Sequence, residues 1–166
     1  MGTTTPELGV VGDIGATNAR FALVDESGAI GPPRLYRMDD YSDLLAVLDA
    51  FWRDSSARPQ IAALAVAAPV TGDVVSFTNR AWSFETEAVR RRFGLRRLHV
   101  VNDFSANALA IPDLERADYV QIGPGAPSPD AAVAILGPGT GLGVSGLIPS
   151  AETGAAIEGE GGHVTL

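Results

Sequence analysis

The chain opens with a short apolar run, L-G-V-V-G, that breaks at Asp13 and resumes as A-R-F-A-L-V-D, where Ala19, Phe21 and Leu23 recur at every second position. Alternation of that kind marks a half-buried strand, so the opening reads as strand, turn, strand. Between the runs lies G-D-I-G-A-T-N. Because the chain beyond it alternates, no helix is expected to open there, and the glycine turn is expected to join a hairpin. Arg34 to Arg37 reads as a third strand. Ser42 is placed to cap a helix whose apolar positions Leu44, Leu45, Val47, Leu48, Phe51 and Trp52 follow helical spacing, with Pro59 just past its end. Gln60 to Ala68 is almost continuously apolar, the pattern of a central strand covered on both faces, and Pro69 stops it.

V-T-G-D-V-V-S-F-T-N-R-A-W predicts a turn and a short strand, followed by a helix from about Glu85 into the Arg-rich R-R-R-F-G-L-R-R, with Gly94 as its C′ residue. Arg96 to Val101 returns to strand, Asn102-Asp103-Phe104 closes it, and Ser105 to Leu109 begins a helix that Pro112 ends. Gly123 to Asp130 is loop by composition. A-A-V-A-I-L, G-P-G-T-G-L-G and V-S-G-L-I then repeat the opening order of strand, glycine turn and strand. The final stretch, G-E-G-G-H-V-T-L, arrives with no helix to cover the strands before it, so a truncated chain is expected.

Composition narrows the function classes. With 46% hydrophobic and 19% charged residues among 166, the chain can offset its ordering entropy by burial and is not a disordered polymer. The net charge is −8 and every basic residue is Arg, so a P-loop has no lysine to use and Walker-type NTPases are excluded. A net-acidic surface gives nucleic acid or anionic lipid no long-range attraction, which favours a small-molecule ligand. There is no cysteine, hence no disulfide, thiolate metal site or Cys nucleophile. No apolar run reaches the roughly 18 residues of a membrane span, and the start lacks a charged segment followed by an apolar core, so a cytoplasmic protein is expected.

Both glycine turns, Gly12 to Asn18 and Gly137 to Gly143, follow apolar strands and contain Thr, so backbone N–H groups and a hydroxyl could converge on phosphate oxygens. The alternative is a pair of plain hairpin turns. A dinucleotide site is disfavoured, because G-x-G-x-G-x-G is followed by a strand and not by a helix N-terminus. Asp13 could organise Mg²⁺ through water beside phosphates or serve only its own turn. Asp103 sits where a strand gives way to a helix, the place where open α/β sheets hold ligands; it could take a proton from a sugar hydroxyl or cap the helix. Glu160 and His163, spaced by two glycines, suit polyol recognition, and no third ligand supports a metal there. His99, inside a strand, reads as structural. The arginines from Arg90 to Arg97 could bind an anion or complement a helix C-terminus.

The string L-G-V-V-G-D-I-G-A-T-N-A-R-F-A-L-V-D resembles the opening of bacterial glucokinases, members of the sugar kinase, actin and heat-shock ATPase superfamily. A-P-V-T-G-D, F-T-N-R-A-W-S-F, V-V-N-D-F-S-A, G-P-G-T-G-L-G and G-E-G-G-H-V follow in the family's order, and they cover this chain but only about the first half of such an enzyme. The resemblance implies an α/β, ribonuclease H-like mixed sheet with flanking helices over about residues 1–111, and a second similar domain begun over 112–166. It implies transfer of the ATP γ-phosphoryl group to the 6-hydroxyl of glucose. By the same resemblance Asp103 is the base, and Asn79, Asn102, Asp103, Glu160 and His163 hold the sugar. Gly12, Asp13, Ile14, Gly15, Ala16, Thr17 and Asn18 form the first phosphate motif; Gly139, Thr140 and Gly141 belong to the second; Mg²⁺ is water-mediated through Asp13. Ala16 stands where the family commonly has glycine. T-N-R-A-W is of the glucokinase type and not the ROK (repressor, ORF, kinase) type. The alternatives are a ROK-type sugar kinase or a non-catalytic, sugar-binding regulatory relative. A homodimer is common in the family, and the 166-residue chain alone is expected to show little kinase activity.

Overall fold

The computed structural model describes residues 8–128, 130–138, 142–150 and 154–157. It divides into two compact units, Met1–Asp103 and Phe104–Leu166. The first unit is built on strands β1 (Gly9–Ile14), β2 (Asn18–Val24), β3 (Arg34–Arg37) and β4 (Ile61–Val66), with helix α1 (Leu44–Ser55) between β3 and β4. A short hairpin, β5 (Val74–Ser76) and β6 (Ser83–Glu85), leads into α2 (Thr86–Arg92) and then β7 (Arg97–Asn102).

The main sheet has five strands in the order β3-β2-β1-β4-β7. Strands β1, β2 and β3 pair antiparallel, whereas β4 pairs parallel with both β1 and β7. This mixed order is the ribonuclease H-like arrangement that the sequence resemblance implies.

Period-two burial explains which face carries the core. Val10, Ile14, Phe21, Ala62, Leu64 and Val66 are buried on one side, against Leu44, Val47, Leu48 and Phe51 of α1 and Val89 of α2. The rings of Phe21 and Phe51 lie 5.3 Å apart, and Trp52 bridges Phe51 at 5.5 Å to Phe93 at 4.8 Å. The opposite face of β4 departs from the two-sided cover its apolar run predicts, since Ala63 is exposed and Ile61 and Ala65 are half-buried. Alanine fits either environment, so an Ala-rich run cannot tell one covered face from two.

The cap of α1 is also shifted. Asp43, and not Ser42, accepts from the Ala46 backbone N–H at 2.8 Å, while the Ser42 hydroxyl donates to the Asp43 carboxylate at 3.1 Å. Either residue type caps well, and extended backbone at Asp43 decides which one does. At the end of α2, Gly94 takes φ +64° as its C′ role requires. Arg90 is held by Glu87 at 2.7 Å and donates to the Leu95 carbonyl at 3.0 Å, so it serves the helix end, whereas Arg92 pairs with Asp49 and ties α2 to α1.

Tyr36 ties β3 to α1 by donating to the Asp54 carboxylate at 3.0 Å. Burial first, and then the hydrogen bond to Asp54 and the charge of that carboxylate, push its phenol up to about 12. The folded state therefore keeps a proton that the unfolded chain loses near its ordinary value. This contribution is fully present below pH 10 and fades as the pH rises toward 12. Urea titrations across that window should show a fall in stability that Tyr36→Phe removes; an identical slope in the variant would exclude the assignment.

The second unit holds α3 from Phe104 onward, the helix spanning Asp103–Ala110, and a short turn at Ile111–Asp113 containing Pro112. Strands β8 (Val133–Pro138), β9 (Leu142–Ile148) and β10 (Ala155–Ile157) form an antiparallel sheet in the order β10-β9-β8. The expected repeat of strand, glycine turn and strand is thus an antiparallel ribbon in which Gly137 faces Gly143.

Candidate active site

Three parallel strands bring the first group of candidate residues to one edge. Ile14, Val66 and Asn102, the last residues of β1, β4 and β7, stand in register with one another across the sheet. The glycine turn after Ile14, the Ala67-Ala68 segment and the Asn102-Asp103 step therefore leave the sheet on the same side, within about 10 Å at two strand spacings. Open α/β sheets bind ligands along such C-terminal edges.

Gly12, Asp13 and Ile14 are strand residues, and only Gly15, Ala16 and Thr17 make the turn before Asn18 opens β2. The Gly15 N–H donates to the Asn18 carbonyl at 2.9 Å and closes the hairpin. Gly12 has a packing reason to be glycine: a Cβ there would lie 2.8 Å from both the Leu64 and Phe21 side chains. Ile14 is fully buried, and its carbonyl accepts from the Ala67 N–H at 2.9 Å. Asp13 points to solvent and forms an ion pair with Arg20 at 3.0 Å. Thr17 is exposed, and Ala16 is half-buried.

Asn102 donates from its side chain to the Ala68 carbonyl at 3.2 Å, fixing the end of β7 to the segment beyond β4. Asp103 is half-buried at the first position of α3. Asn79 is exposed in the loop of the β5–β6 hairpin, a loop closed by the Phe77 N–H on the Trp82 carbonyl at 2.9 Å. Among the described residues, no group of three or more His, Asp or Glu is arranged to hold a metal ion. Likewise, no helix among them is long and apolar enough to cross a membrane.

Two features escaped the sequence reading. Arg80, within T-N-R-A-W, reaches the Ala16 carbonyl at 2.8 Å. In the second unit the Phe104 ring occupies the space beside Gly137 and Gly143: a Cβ at Gly137 would come within 2.6 Å of it, and one at Gly143 would overlap it. The cross-strand glycine pair, separated by one residue from the G-x-G on either side, is the sequence signal that goes with the ring seated there. Gly139, Thr140, Gly141, Glu160 and His163 lie outside the described residues.

A family model described as Glucokinase matches residues 10–166. The chain belongs to the glucokinase family. Among curated relatives, a glucokinase from Aromatoleum aromaticum is 47% identical over 168 residues, covering 98% of this chain and 50% of the relative. Among solved structures, a glucokinase from an Antarctic psychrotroph superposes with a TM-score of 0.82 at 33% identity, over 96% of this chain and 52% of that one. A ROK family glucokinase from Streptomyces griseus, in complex with glucose and AMPPNP, shares the fold with a TM-score of 0.64 at 24% identity, covering 95% of this chain and 50% of its own. This glucokinase-family chain spans from a quarter to half the length of the curated relatives it matches.

Proposed function

We propose that this chain carries the sugar-side acid–base group and the first phosphate turn of an ATP:glucose 6-phosphotransferase. The observation that carries the reading is the shared edge at which Ile14, Val66 and Asn102 end in register, with a glycine turn and an Asn-Asp pair leaving it two strand spacings apart. The relatives' names and the glucose and AMPPNP bound to the Streptomyces griseus protein support it.

In this scheme Asp103 accepts the proton of the glucose 6-hydroxyl as that oxygen bonds to the γ-phosphorus and the bond from the γ-phosphorus to the bridging oxygen breaks, so that ADP leaves with that oxygen; the nucleophile in such a transfer chiefly needs orientation and deprotonation. Asn102, whose side chain donates to the Ala68 carbonyl, lies beside Asp103 and contacts the sugar. Asn79, Glu160 and His163 complete the sugar contacts. Backbone amides of Ala16, Thr17 and Asn18 receive phosphate oxygens, while the Gly15 amide, engaged by the Asn18 carbonyl, shapes the turn; Gly139, Thr140 and Gly141 form the second turn. Gly12 and Ile14 hold the first turn on its strand. The donor set fits Mg²⁺ as an ion held mainly by substrate phosphates, because the exposed carboxylate of Asp13 adjoins the turn and is already paired with Arg20. Bound there through water, Mg²⁺ would neutralise charge on the phosphates.

A family member of this kind is proposed to act in the cytoplasm, as a homodimer, with residues 112–166 opening its second domain. The test is a coupled assay of the full-length protein with ATP and a panel of hexoses, run beside calorimetric glucose titration. Formation of glucose 6-phosphate is the expected result. Glucose binding without turnover would replace the kinase with a sugar-binding regulatory relative.

A further inference from the structure

Arg80 sits in the hairpin loop between β5 and β6, yet its guanidinium reaches two distant segments. Nη2 donates to the Ala16 carbonyl at 2.8 Å and to the Asp39 carboxylate at 2.8 Å, and Nη1 donates to the Met38 carbonyl at 3.3 Å. The group also lies 4.5 Å over the Trp82 ring, and its side chain is only 18% exposed. Met38 in turn donates its N–H to the Thr17 carbonyl at 2.9 Å. Both carbonyls in the middle of the glycine turn are therefore tied back toward the protein.

A trans peptide holds its C=O and N–H on opposite sides, and no peptide among the described residues is cis. Gripping the Ala16 carbonyl thus fixes the direction of the Thr17 N–H, which points away from Arg80. With both N–H groups of Nη2 already engaged, by the Ala16 carbonyl and the exposed Asp39 carboxylate, Arg80 is not itself arranged as a phosphate ligand.

We infer that Arg80 is a positioning residue for the first phosphate turn: it pulls the Ala16 carbonyl inward and thereby aims the Thr17 amide at the nucleotide. This rests on the kinase reading above. It also gives the T-N-R-A-W segment a second function beside the sugar contact proposed for Asn79, because Arg80 of the same loop reaches the first glycine turn. Bidentate geometry is what the position uses, so lysine should substitute only in part.

Arg80→Ala and Arg80→Lys in the full-length protein test this. Arg80→Ala should raise the KM for ATP about ten- to a hundredfold, the range expected for losing a charged hydrogen bond, while calorimetric glucose affinity stays within about twofold. Arg80→Lys should recover part of the loss, and added guanidinium should restore ATP affinity to the Ala variant. Amide hydrogen exchange across residues 13–19 should accelerate in Arg80→Ala, measured well below its melting temperature. Should that variant fail to fold, Asp39→Asn loosens the same guanidinium from outside and should shift the KM for ATP in the same direction. An unchanged KM for ATP, an unchanged exchange rate, or an equal loss of glucose and ATP affinity would overturn the inference. A wild-type protein without ATP-dependent turnover would instead remove the kinase reading, and the exchange measurement would still decide whether Arg80 holds the turn.

Discussion

Asp103→Asn should lower kcat about 10²- to 10⁴-fold, the usual loss for a general base, while glucose affinity changes little. The amide keeps the size and planarity of the carboxylate and can still hydrogen-bond a hydroxyl, so the sugar has little reason to leave. It cannot take the proton. Asp103 is half-buried at the junction of β7 and α3, and the Asn102 tether to Ala68 holds the preceding residue at 3.2 Å. The substitution should therefore act on chemistry and not on the position of the chain. Steady-state kinetics with ATP and glucose, paired with calorimetry, separates the two. A variant with wild-type kcat would place the base elsewhere, and one that loses glucose binding in step with turnover would make Asp103 a sugar ligand first.

Phe51→Ala should destabilise the protein by about 3–5 kcal/mol, as large-to-small changes of buried aromatics do. Its ring is 1% exposed and packs on Phe21 at 5.3 Å, Trp52 at 5.5 Å and Tyr36 at 6.4 Å. Removing it opens a cavity between α1 and the sheet that stiff neighbours such as Phe21 and Trp52 fill only partly. Against a typical total stability of about 5–15 kcal/mol, that loss should appear as a large drop in the urea midpoint. A shift of less than about 1 kcal/mol would mean that the site collapses around the gap.

The elements of the first unit were legible because their patterns are local. Ala19, Phe21 and Leu23 announce β2 by period two, and Val47, Leu48 and Phe51 announce α1 by helical period. The refusal of a helix after Gly15 follows from the same alternation and is what makes the opening a hairpin. The placement of Asn102 and Asp103 at a strand end was equally readable, because they follow β-branched Val100 and Val101 and precede, by one residue, the stretch from Ser105 to Leu109 that reads as a helix.

What stayed hidden depends on partners far away in sequence. Nothing near Gly12 says that Leu64 and Phe21 exclude a side chain there, and nothing near Arg80 says that its acceptors are Ala16 and Met38. The choice between Ser42 and Asp43 as cap turns on one backbone angle that adjacent capping residues do not encode. The Ala-rich face of β4 was misread for a related reason, since its cover depends on what packs against the sheet and not on the strand itself.

The ring of Phe104 and the glycine pair Gly137–Gly143 have an evolutionary corollary. Because a methyl at either glycine would evict the ring, these three positions can drift only as a linked set: a lineage that acquires alanine at 143 must first shrink the aromatic beside Asp103. Divergence of the β8–β9 ribbon would then be recorded one residue away from the proposed base.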